Sequence, residues 1–74
     1  MTGFELSTPT ETVLYEINVL RLKQKDVAKT LALIIESRVD ADWKKINKAI
    51  TKRWSLSARE RVLTMAWKIV EAKA

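Results

Sequence analysis

Four lysines, Lys44, Lys45, Lys48 and Lys52, recur at spacings of one, three and four residues, with Asn47, Thr51 and Arg53 among them. Ammonium groups at such spacings can neutralise successive phosphates and release the counterions held there. Asn and Lys are also suited to hydrogen bonds with base edges. The chemistry implied is contact with a polyanion, either nucleic acid or an acidic protein surface. Lys44, Lys45, Lys48, Lys52 and Arg53 would meet the backbone, Asn47 would reach a base edge, and Thr51 lies beside them.

A helix is the element that must position these groups. At 100° per residue the four lysines share one side, and Trp43, Ile46, Ile50 and Trp54 fall on the other. Lys44/Lys48 and Lys48/Lys52 are like-charge pairs one turn apart, each costing only about 0.2–0.5 kcal/mol. A helix tolerates that cost whether or not the face binds anything, so an ordinary solvated face competes with the functional reading. Stacking on bases would need exposed aromatic rings, but Trp43 and Trp54 share the apolar side and are expected to anchor the core. Trp67 sits at the edge of a later apolar face and is expected to be partly exposed. Arg53 flanks the apolar side, where its stem can cover a Trp while its guanidinium stays in water.

Charge along the chain changes sign. Residues 1–20 hold Glu5, Glu11 and Glu16 and no base, whereas the remainder holds fourteen bases and six acids, a net +8. The whole chain of 74 residues is +5, which favours anionic partners without choosing among them. It contains neither Cys nor His, so disulfides, thiolate sites and the commonest general base and metal ligand are missing. The single glycine, Gly3, rules out a glycine-rich phosphate loop. A non-enzymatic protein with no metal and no cofactor is the expectation. The first residues carry no basic stretch followed by an apolar run, and apolar runs such as Leu31–Ile35 fall far short of the roughly 20 residues that span a membrane. The expected location is cytoplasmic.

After Pro9 neither Gly nor Pro recurs, and no strict alternation is sustained. The composition, 47% hydrophobic with three Trp, supports a packed fold. The chain therefore reads as all-α: a compact bundle of three or four helices over residues 8–74, preceded by a flexible arm over residues 1–7. Thr8-Pro9-Thr10-Glu11 forms a helix start with a capping box. From there a helix extends to at least Lys23. Either it continues unbroken to about Arg38, giving a long N-terminal helix, or it breaks at Gln24-Lys25 with Asp26 capping a second helix. Asp40 or Asp42 caps a helix from about Ala41 to Arg53. Ser57-Ala58-Arg59-Glu60 is a second capping box, which opens a last helix at Ala58 with a broad apolar face.

Gln24–Leu31 resembles the first helix of helix-turn-helix motifs, with Ala28 as the small residue that lets two helices approach. That resemblance implies that the basic helix is the recognition helix. Leu56-Ser-Ala-Arg-Glu-Arg-Val-Leu63 resembles the opening of the LuxR-type DNA-binding domain but is one residue short between Glu60 and Val62. Helix capping accounts for the same residues. The leading expectation is a small nucleic-acid-binding module, a helix-turn-helix-like regulator, with a homodimer as one form. The alternative is a helical protein-interaction module or self-associating bundle, using Tyr15, Val19, Leu22 and Trp67.

Overall fold

Thr8 opens the first helix as its sequence requires. Its Oγ1 accepts from the Glu11 amide at 3.2 Å, and Pro9 occupies the first helical position, where a missing amide costs nothing. The computed structural model describes residues 8–73, so the arm expected over residues 1–7 lies outside the described residues. Four helices follow: α1 (Pro9–Asn18), α2 (Gln24–Ser37), α3 (Trp43–Arg53) and α4 (Leu56–Lys73). The fold is all-α, and among the described residues no helix is long and apolar enough to cross a membrane.

Residues 9–38 form two helices, not one long one, and the break falls earlier than Gln24-Lys25. α1 stops at Asn18. The Tyr15 carbonyl accepts from both Val19 (2.8 Å) and Leu20 (3.0 Å), the Glu16 carbonyl accepts from Leu22 at 3.0 Å, and Arg21 takes a left-handed φ of 52°. α2 then starts behind Lys23, which has no side-chain cap bond, so Asp26 stands inside the first turn and not at the cap. A tertiary contact holds this break. Arg53 of α3 donates from Nη1 to the Ile17 carbonyl (3.2 Å) and from Nη2 to the Arg21 carbonyl (2.8 Å). These bonds hold the carbonyls freed by the break, and a cation there suits the negative end of the α1 dipole.

The next two junctions use short caps. α2 ends where Arg38 adopts a left-handed φ of 55°. Of the two candidate aspartates, Asp42 caps α3, accepting from the Lys45 amide at 3.2 Å, so α3 begins at Trp43 and not Ala41. The Asp42 amide in turn donates to Thr10 Oγ1 at 2.7 Å, tying the starts of α1 and α3 together. At the last junction Ser55 Oγ accepts from the Ala58 amide at 3.0 Å. α4 therefore starts at Leu56, two residues before Ala58, and Ser57 lies in its first turn and not at its cap.

The helices form a ring. α1 packs on α2 and α3, and α4 packs on the same two; α1 faces α4 across the diagonal, as α2 faces α3. Val13, Ile17, Val27, Leu31, Ile34, Ile46, Ile50 and Val62 fill the centre. Ala28 and Ala32 on α2, with Ala58 and Ala66 on α4, are also buried. Such small side chains allow two helix axes to approach closely. α4 is thus one wall of the ring, not its axis, and its Leu63, Met65, Ile69 and Val70 are only half-buried. At the α1–α2 contact Glu16 Oε1 is shielded and has no hydrogen-bond partner. Burial pushes the Glu16 pKa up; the Thr30 hydroxyl opposes this, and the Asp26 carboxylate adds to it.

Candidate nucleic-acid interface

Ile46 and Ile50 are fully buried, and this fixes the rotation of α3 about its axis. Trp43 and Trp54 pack half-buried against the same core. The opposite side must face solvent, and Lys44, Lys45, Lys48 and Lys52 are all exposed there. None of the four has an ion-pair partner among the described residues; the ion pair formed among these is Lys73–Glu36, at 3.5 Å.

Two shallow grooves border this face. Between α1 and α3 lie Leu14, Asn18, Arg21, Lys45, Lys48, Ala49, Lys52 and Arg53. Between α3 and α4 lie Lys44, Asn47, Lys48, Thr51, Lys52, Leu56 and Arg59. Among the described residues no acid lines either groove, so the positive charges there reinforce one another. Three acidic groups, Glu11, Asp40 and Asp42, surround the start of α3 beside Lys45.

The residues grouped by sequence all line these two grooves, but they differ in exposure and in their partners. Thr51 is half-buried at the edge of the lysine face. Asn47 is also half-buried, and its Oδ1 is shielded and unpartnered although the residue lines the α3–α4 groove. Arg53 lines the α1–α3 groove and also holds the fold: besides its two carbonyl bonds, its guanidinium carbon stands 4.2 Å from the centroid of the Trp54 ring. That is cation–π distance. Burial, and then the charge of Arg21, lower its pKa, though a guanidinium remains protonated throughout.

Arg21 and Arg59 join the basic surface unforeseen. They come from the turn after α1 and from the first turn of α4, and nothing in their local spacing points toward α3. Only the packing of α1 and α4 on either side of α3 brings them there. Among the residues expected to meet a protein, Tyr15 and Val19 are exposed at 54% and 60%, and Trp67 at 52%. Leu22 instead packs against the core.

Two helices of a helix-turn-helix cross in contact. Here α2 and α3 lie on a diagonal of the ring, and the basic helix is held by α1 and α4. No protein-family model, curated protein or solved structure matches the chain.

Proposed function

We propose that this protein is a small, non-enzymatic nucleic-acid-binding module that contacts the phosphate backbone through the exposed face of α3. The observation that carries the reading is the basic surface of Lys44, Lys45, Lys48 and Lys52, extended by Arg21 on one side and Arg59 on the other, with no acid among the described residues that line its two grooves. From Lys44 to Lys52 the helix rises about 12 Å, enough to meet several phosphates. α3 is flanked by its neighbours and does not protrude, which favours contact with backbone over entry into a groove. Asn47 Oδ1 is shielded, so binding rests on charge more than on base reading. The test is titration of a labelled generic duplex at rising salt, where binding that weakens steeply supports the reading. No binding at low salt overturns it.

A second reading, a protein-binding or self-associating face, is favoured by the exposed Tyr15, Val19 and Leu20 around the end of α1. Sedimentation without nucleic acid distinguishes it: a dimer or larger species supports this reading, and a monomer at micromolar concentration counts against self-association.

A further inference from the structure

On the far side of α3 from the lysines, α2, α3 and α4 enclose an open cleft of about 470 Å³. Its volume lies within the range of small-molecule sites, roughly 300–1,000 Å³. Ile34, Ile35 and Leu63 line it together with Trp43 and Trp67, two large aromatic surfaces supplied by different helices. Only two polar side chains join them, Arg38 and Asn47.

Both polar groups lack a protein partner. Arg38 is exposed, and the nearby carboxylate that could have neutralised it, Glu36, is taken by Lys73 at 3.5 Å. No acid lines the cleft. Asn47 Oδ1 is shielded from water and accepts no hydrogen bond. An orphaned acceptor of this kind is costly to leave unmade. The Asn χ2 torsion is soft, so a modest turn can offer this oxygen to a donor placed in the cleft. Trp67 remains 52% exposed and Val39 41% exposed at the opening. The requirements are specific: a flat apolar body between the tryptophans, an anionic group at Arg38, and one N–H or O–H donor for Asn47.

We propose that this cleft binds a small aromatic anion carrying a hydrogen-bond donor. Trp43 and Trp67 hold the rings, Arg38 pairs with the charge, and Asn47 Oδ1 accepts from the donor. The cleft shares Asn47 with the α3–α4 groove but none of the lysines, so the nucleic-acid reading can fail without affecting it.

The probe is 1-anilinonaphthalene-8-sulfonate, which has two aromatic parts, one N–H and one sulfonate. It is compared with N-phenyl-1-naphthylamine, the same framework without the charge. Each is titrated into the full chain at neutral pH and followed by probe fluorescence and energy transfer from tryptophan. The expected result is one sulfonate probe per chain. Arg38→Gln should weaken that probe about tenfold and leave the neutral one within about twofold, because only the charge-assisted hydrogen bond disappears. Asn47→Leu and Trp67→Ala should each weaken both probes several-fold. Lys44→Ala with Lys48→Ala should change neither. Arg38 is exposed, so its variant keeps the fold, and a cooperative melt verifies this. Equal effects of Arg38→Gln on the two probes would overturn the proposal. So would sulfonate binding that follows the lysines, binding that accompanies loss of the cooperative melt, or a dimer whose cleft admits no probe.

Discussion

Arg53 shows how a side chain beside the lysine face can also carry a structural role that its neighbours in sequence do not reveal. Its place after four lysines suggests phosphate contact, yet its guanidinium spans two carbonyls at the end of α1 and stacks on Trp54. Replacing it with Met keeps the stem and removes the donors. Hydrogen bonds from charged donors are worth about 1.5–3 kcal/mol, so Arg53→Met is expected to destabilise the fold by about 2 kcal/mol in denaturant melts. A loss below about 0.5 kcal/mol, the level of an ordinary surface substitution, would show that the carbonyl bonds do not hold the α1 end. Glu16 makes a second residue-level test. Its folded pKa is raised, so its contribution to stability is fully present below the unfolded value, near 4.3, and is lost as pH rises through the folded value. Glu16→Gln should therefore melt higher than the parent at pH 7, with the gap closing as pH falls below the ordinary carboxylate range. A gap independent of pH would contradict this.

The helices themselves were largely legible in sequence, and their ends were legible only where a local side chain makes the cap. Thr8, Pro9 and Asp42 act where their types and spacing place them. The break after Asn18 was not readable, because Lys23, Gln24 and Lys25 are good helix formers and the left-handed residue is an arginine. The carbonyls at the break are held by Arg53, 32 residues beyond Arg21, which no local pattern reveals. At the start of α4 the local pattern pointed to a serine that does not make the cap. Ser57 with Glu60 has the better pattern, but Ser55 makes the bond. Losing an N-cap hydroxyl costs about 1 kcal/mol, so Ser55→Ala should lower stability by about that much. Ser57→Ala should be nearly neutral, and the reverse order in a thermal melt would restore the capping box at Ser57.

At the scale of the whole molecule, the sequence showed which face of α3 is basic but not what stands on either side of it. Arg21 and Arg59 reach that face because α1 and α4 both pack on α3. The same ring puts the tryptophan side of α3 against a separate cleft, so one helix divides two surfaces of different chemistry. Net charge alone would make any basic protein of this size bind polyanions weakly, and the decisive question is whether binding is local to α3. Two double variants of equal charge answer it: Lys44→Ala with Lys48→Ala on the proposed face, and Lys29→Ala with Lys68→Ala on exposed positions of α2 and α4. Duplex affinity is measured against salt for each, and each phosphate left without its cation reduces the logarithmic slope by about 0.9. The expected result is a slope lower by about 2 for the α3 pair and nearly unchanged for the other pair. Equal slopes in the two variants would contradict a binding face on α3.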